Sequence, residues 1–239
     1  MPLNEKLERI LVVTAHPDDV DFGAAGSVAT WTAQGIDVSY CIVTDGEAGG
    51  SDPSVPRAEM AALRRSEQTA AAECVGVTDL RFLGHPDGRV QSTIELRRDI
   101  SRVIRQVRPQ RVVAQSPERN FQRIYASHPD HLAAGEATLC AVYPDARNLF
   151  AHPELLADEG LEPWTVPEVW MMVGADPNEY VDTTDAIDRK VKALLCHTSQ
   201  IADADAMDNL IRQWGAGIAK VAGLPEGSYA EGFQRIDTG

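Results

Sequence analysis

Residues 10–19 read Ile10-Leu11-Val12-Val13-Thr14-Ala15-His16-Pro17-Asp18-Asp19. The first six carry no charge, and four of them are β-branched. A run that is apolar at successive positions makes a strand buried on both faces, the pattern of a parallel sheet covered by helices on either side. It then stops at a His-Pro pair and two aspartates, so the strand delivers polar side chains directly to its carboxyl end.

Outward from this stretch, strand and helix alternate. A helix over 24–34 closes at Gly35, which suits the left-handed position after a helix, and 36–44 is a second strand. Pro56 fits the first helical position, before a helix over 58–75 that stops at Gly76. Residues 80–83 form a brief strand. Ser92-Thr93-Ile94-Glu95 matches a capping box, and behind it Leu96, Ile100, Val103, Ile104 and Val107 share one helical face until Pro109. Strands over 111–116 and 169–173, a helix over 131–142 ended near Pro144, and terminal helices over 184–197 and 207–221 complete the series. This order predicts the α/β class: a Rossmann-like three-layer sandwich with a mostly parallel sheet. One domain is expected across residues 1–239, with 144–167, marked by Pro144, Pro153, Pro163 and Pro167, as its excursion from the core.

Composition narrows the function. At 239 residues, 44% hydrophobic and 24% charged, the chain can build its own core, which excludes disordered, collagen-like and disulfide-stapled classes. The net charge of −14 splits into −3 up to residue 120 and −11 beyond it. Such a surface repels phosphate backbones and anionic lipid, so neither nucleic acid nor membrane is an expected partner. Cys41, Cys74, Cys140 and Cys196 stand apart in apolar surroundings and read as free, buried thiols in a reducing compartment. The apolar run 10–13 is too short for a signal-peptide core, and no run approaches the roughly 18 residues of a membrane span. A cytoplasmic protein is expected; a homo-oligomer is compatible with all of this.

The chemistry concentrates in two strings. His16-Pro17-Asp18-Asp19 follows the first strand, and His128-Pro129-Asp130-His131 follows the strand 111–116. Loops at the carboxyl ends of parallel strands line the ligand crevice, so the two can converge. Three of the six histidines fall in them, and imidazole with carboxylate is the usual non-thiol zinc donor set. A bland reading exists for each string alone: Asp18 or Asp19 caps the helix at 24–34, and Asp130 the helix from His131. Two such strings at two strand ends favour a metal site. No GxGxxG or Walker motif is present, which leaves a dinucleotide or P-loop function without support.

The paired strings resemble the PIG-L/LmbE family of zinc-dependent N-deacetylases. Thr44-Asp45-Gly46-Glu47, Arg64-Arg65-Ser66-Glu67, Phe82-Leu83-Gly84-His85-Pro86-Asp87-Gly88, 192–200 and Ala230-Glu231-Gly232-Phe233 are similar to its supporting motifs, so the likeness spans about residues 10–235. The resemblance implies metal ligation by His16, Asp19 and His131, with Zn²⁺ as cofactor and Fe²⁺ or Co²⁺ able to occupy the same donors. It implies Asp18 as general base, and His128 as the histidine that assists charge development or leaving-group protonation, with Asp130 beside it to orient it. Arg64, Asp87 and His197 match substrate-binding positions, although Arg64-Arg65 on a helix reads by default as a solvated face, and Asp87 before Gly88 as a turn residue. Tyr125, three residues before His128, is a weaker oxyanion donor. The family commonly has Glu where this chain has Val20, followed by Asp21.

The activity implied is hydrolysis of an N-acetyl group from a small amino sugar or glucosamine-type conjugate, with specificity expected in loops 46–57 and 144–167. The competing readings are an amidase of the mycothiol S-conjugate kind, a two-metal phosphoesterase, and a non-catalytic sugar-binding module. Retention of Asp18 beside three ligands argues against the last.

Overall fold

The computed structural model describes residues 7–50, 52–121, 124–172, 174 and 176–239. In chain order its elements are β1 (Arg9–Thr14), α1 (Asp19–Gly23), α2 (Ala25–Ala33), β2 (Asp37–Thr44), α3 (Arg57–Cys74), β3 (Asp79–His85), α4 (Ile94–Val107) and β4 (Arg111–Gln115). There follow α5 (Pro129–Cys140), α6 (Glu154–Ala157), β5 (Glu168–Met172), β6 (Glu179–Asp182), α7 (Ile187–Leu194), α8 (Ala204–Val221) and β7 (Ala230–Asp237).

The strands form one seven-stranded sheet in the order β3-β2-β1-β4-β5-β7-β6. The first five are mutually parallel, with β1 between β2 and β4. The α/β reading and the mostly parallel sheet therefore hold. Alternation along β1 divides the core: Ile10 and Val12 pack with Val28 of α2 and Ala71 of α3. Leu11 and Val13 face the other way, onto Ile100 and Ile104 of α4 and Ala134 of α5. A strand apolar at every position is thus satisfied by a helical layer on each side.

The far edge departs from the sequence reading. β7 runs antiparallel to both β5 and β6, and neither β6 nor β7 was expected. β6 is mostly half-buried and β7 passes from buried to exposed along its length, and both are rich in charged residues, so they lack the apolar run that marks an interior strand. Val173, the expected end of β5, lies outside the described residues. The helix expected over 24–34 is α2, and a short helix not expected, α1, precedes it across a break at Ala24, where φ is −146°. The terminal helix expected over 184–197 shortens to α7 behind a tight turn at Thr184–Ala186. At α4 the cap is Thr93, whose hydroxyl accepts from the Leu96 N–H at 3.2 Å, so the capping box is displaced by one residue from Ser92. Of the four free cysteines only Cys41 is buried; Cys74, Cys140 and Cys196 are half-buried.

The excursion 144–167 is anchored from α4. Arg105, buried on that helix, donates to the carbonyl oxygens of Asp145, Ala146, Asn148, Ala151 and Leu161 at 3.0–3.4 Å. One planar guanidinium thereby satisfies five acceptors along a segment with little regular structure. Among the described residues, no helix is long and apolar enough to cross a membrane.

The cap assignment is testable by urea unfolding at constant m-value. Thr93→Ala is expected to cost about 1 kcal/mol, whereas Ser92→Ala stays within about 0.5 kcal/mol. The reverse ranking would restore Ser92 as the cap.

Candidate active site

β1 and β4 are neighbours whose following connections diverge, so their carboxyl ends open the crevice at which parallel α/β sheets bind ligands. The chain leaving β1 is held from both sides: the Ala15 N–H donates to Gln115 Oε1 and the Thr44 hydroxyl to the Ala15 carbonyl, each at 2.9 Å. It then reverses sharply. Asp18 has φ +88°, a left-handed conformation that costs a residue with a side chain about 1–3 kcal/mol.

Side chains of α3 hold that reversal. Arg64 donates to the Pro17 carbonyl at 2.6 Å, to Asp18 Oδ2 at 2.8 Å and to the Gly46 carbonyl at 3.1 Å. It is 4% exposed, so the solvated-face reading fails for Arg64. Arg65 is the exposed member and pairs with Asp45. On the other loop, His128 caps α5: its Nδ1 accepts the Asp130 N–H at 3.2 Å, and Pro129 occupies the first turn. The helix therefore begins at Pro129 rather than His131, and His128, not Asp130, is its cap.

Three donors converge. His16 Nδ1 lies 3.2 Å from His131 Nε2, His131 Nε2 lies 2.9 Å from Asp19 Oδ1, and Asp19 Oδ2 lies 3.4 Å from His16 Nδ1. Zinc with bonds near 2.0–2.1 Å sets tetrahedral ligand edges of roughly 3.3 Å, so these separations, in which Asp19 turns one oxygen to each histidine, are of the size such a site needs. The other nitrogen of His16 fixes the tautomer. Nε2 sits 3.1 Å from Asp87 Oδ1 and 3.2 Å from Asp130 Oδ2, both acceptors, so it carries a proton, and Nδ1, which faces His131, is the nitrogen that a metal would take in place of its own proton.

His16, Asp87 and Asp130 are themselves compact enough to hold an ion, as are His16, His128 and His131. The Asp130 carboxylate, however, already accepts the Gly88 and Val90 N–H groups at 2.7 and 3.2 Å, and Asp87 Oδ2 accepts that of Ala48 at 2.8 Å. These two carboxylates orient the His16 ring, the arrangement that acidic neighbours impose on metal-bound imidazoles. The expectation that Asp130 orients His128 is corrected: its side chain turns to His16, and only its backbone N–H reaches His128.

The carboxylates around His16 favour positive charge at that ring. Burial opposes charge on His16, yet Asp19, Asp130 and Asp87 together raise its pKa to about 12. Burial likewise works against ionised Asp19, but His131 and His16 hold it well below the usual carboxylate range. Asp18, one residue earlier, goes the other way. Burial and the adjacent Asp19 raise it to about 7, against the pull of Arg64. Burial, His16 and His131 all lower His128, so its ring is neutral. With Nδ1 engaged as the helix cap, its proton is on Nε2.

The structure does not bring His197 to the cavity. It is fully buried, and its Nε2 lies 2.8 Å from Asp21 Oδ2. Asp21, also fully buried, accepts from Gln68 Nε2 at 2.8 Å. Gln68 went unremarked in the sequence, although it stands four residues after Arg64 on the same helix face. The side chain of Tyr125 lies outside the described residues.

A cavity of about 980 Å³ opens over the cluster, lined at one end by His16, Asp18, Asp19, Arg64, Asp87, His128 and His131. Its outer wall includes Phe22, Met172, Trp214 and Ile218. Loop 46–57 contributes Ala48 and Gly49, but no described residue of 144–167 reaches the cavity; α8 takes the place expected of that excursion.

Residues 11–142 match the family described as PIG-L: GlcNAc-PI de-N-acetylase. The diacetylchitobiose deacetylase of Thermococcus kodakarensis is 32% identical over 237 residues, covering 98% of this chain and 85% of that protein. A probable N-acetyl-alpha-D-glucosaminyl L-malate deacetylase 2 of Bacillus anthracis is 30% identical over 200 residues, 81% of each chain. The solved N,N'-diacetylchitobiose deacetylase of Pyrococcus horikoshii, in complex with its inhibitor MPG, superimposes with a TM-score of 0.89 at 28% identity, covering 98% of this chain and 85% of that one.

The orienting role of Asp87 and Asp130 can be measured by chelator competition. Asp87→Asn and Asp130→Asn are each expected to weaken zinc retention by roughly 10–100-fold, with one ion per chain still bound at saturation. Asp19→Ala is expected to bind none. Unchanged affinity in both asparagine variants would remove them from the metal's surroundings.

Proposed function

The chain belongs to the PIG-L family of GlcNAc-PI de-N-acetylases, and we propose that it is a zinc-dependent hydrolase removing the N-acetyl group from a small amino sugar or glucosamine-type conjugate. The observation that carries this reading is the metal-sized triangle of His16 Nδ1, Asp19 and His131 Nε2, with the Asp18 carboxylate and the His128 ring in the same cavity. When bound to those three donors, zinc supplies polarisation of the acyl oxygen and a water of lowered pKa. Fe²⁺ or Co²⁺ in the same donors would supply the same chemistry.

The chain's own residues do the rest. Asp18 takes the proton of the attacking water at its carboxylate, whose direction Arg64 fixes through Oδ2. His128 donates from Nε2 to the acyl oxygen as negative charge grows there, a contribution worth roughly 2.7–4 kcal/mol where comparable donors have been removed. The proton held by Asp18 passes to the departing nitrogen, leaving acetate and a free amine. Asp87 and Asp130 keep the His16 proton on Nε2 throughout. The cavity volume lies at the upper end of the range for small-ligand sites, which favours a conjugate over a single sugar. The cytosol, where free cysteines persist, completes the reading.

The test joins elemental analysis of the purified protein to amine release from a panel of N-acetylglucosamine conjugates. One zinc per chain and acetate release are expected. Neither metal nor release after zinc addition would defeat the proposal; two metals per chain would favour a phosphoesterase, and release only of larger acyl groups an amidase. Asp18→Asn is expected to keep its metal and lose roughly 10²–10⁴-fold in kcat, and His128→Ala roughly 10²–10³-fold.

A further inference from the structure

We propose that Gln68 is the positioning residue that holds the general base in its working conformation, by gripping the Asp18 backbone rather than its carboxylate. The inference rests on the reading of Asp18 as base. Asp18 follows Pro17, which has no N–H, and takes up φ +88°. The Asp18 N–H therefore points out of the reversal toward α3, where Gln68 Oε1 accepts it at 2.7 Å. Arg64 and Gln68, one helical turn apart, act on different parts of the reversal. The guanidinium holds the carboxylate and the preceding carbonyl, and the amide holds the backbone N–H.

The orientation of the Gln68 amide is determined by its two partners. One is a donor, the Asp18 N–H, and the other an acceptor, Asp21 Oδ2 at 2.8 Å. Only one of the two amide flips satisfies both. Asp21 is fixed in turn by His197 Nε2 at 2.8 Å, and all three side chains are 0% exposed, so no solvent competes. Gln68 and His197 are not among the residues lining the cavity, so any influence on substrate passes through what they hold, the Asp18 backbone and, by way of Asp21, the start of α1. The buried His197, which the sequence suggested as a substrate contact, acquires a different purpose: it is the far end of a chain of hydrogen bonds that sets the base.

Gln68→Met keeps the side-chain length and removes the acceptor. It is expected to lower kcat by roughly 10–100-fold, the scale of a misplaced catalytic group, with KM and zinc content within about twofold of the parent. The paired exchange Gln68→Glu with Asp21→Asn reverses donor and acceptor between α3 and α1 while restoring an oxygen for the Asp18 N–H. It is expected to return kcat to within about threefold of the parent. An unchanged kcat in Gln68→Met overturns the proposal, as does a folded, zinc-loaded paired variant that gains nothing over Gln68→Met. If Gln68→Met fails to fold, Gln68→Asn, whose shorter amide falls short of the Asp18 N–H, takes its place: a loss of roughly tenfold or more in kcat with zinc retained supports the proposal, and an unchanged kcat overturns it. Asp18→Asn runs alongside: full activity there would defeat the base assignment itself, whereas loss there with no effect at Gln68 would defeat only the positioning role.

Discussion

Two neighbouring aspartates must face opposite ways, and the reversal of the backbone between His16 and Asp19 is what makes this possible. Asp19 folds back so that its carboxylate accepts the His16 N–H at 2.7 Å and stands against His131. Asp18, in its left-handed conformation, turns to α3 and Arg64. Their acidities then separate: Asp18 rises to about 7 through burial and the adjacent negative charge, while the imidazoles hold Asp19 far down despite its burial. A pair of carboxyl groups pushed apart in this way supplies one group for proton transfer and another that stays ionised. An extended backbone at Asp18 would send both carboxylates to different neighbours.

The sheet places this reversal where it can matter. β1 lies beside β4, and Gln115 at the end of β4 ties the two strand ends together through the Ala15 N–H. The second string leaves β4 and enters α5 with His128 as its cap, which brings His131 one turn inside the helix and within 3.2 Å of His16. A hydrogen bond that serves helix geometry thereby also sets which nitrogen of His128 carries a proton.

Much of this was legible in the sequence, for a physical reason. A strand that is apolar at every position has only one comfortable place, and a polar string at its end must lie at the sheet's carboxyl edge. That was enough to bring His16, Asp18, Asp19, His128 and His131 together. What stayed hidden depends on single dihedrals and on partners distant in the chain. Nothing in Pro17-Asp18-Asp19 marks Asp18 as left-handed, and nothing in His128-Pro129-Asp130 says that the aspartate turns its back on its neighbour. Gln68 is an ordinary polar residue on a polar helix until the reversal packs against it. The antiparallel edge was equally silent, because β6 and β7 carry charged residues among few apolar ones and do not stand out from loop. Of the carboxylates that gather around His16, Asp19 and Asp87 come from the nearly neutral part of the chain and Asp130 from the acidic part after residue 120, so the charge count did not point to them.

The anchoring of the 144–167 excursion carries an implication for how such a chain can diverge. Arg105 reads five main-chain carbonyls and no side chain of the segment it pins. Recognition of that kind is blind to residue identity. The exposed positions between 146 and 161, unlike the buried Ala146 and Leu155, are thus free of any demand from Arg105 beyond the path of the main chain. The burden of heredity falls instead on one codon in α4, 41 residues before Ala146 in the chain yet in direct contact with the segment whose shape it preserves.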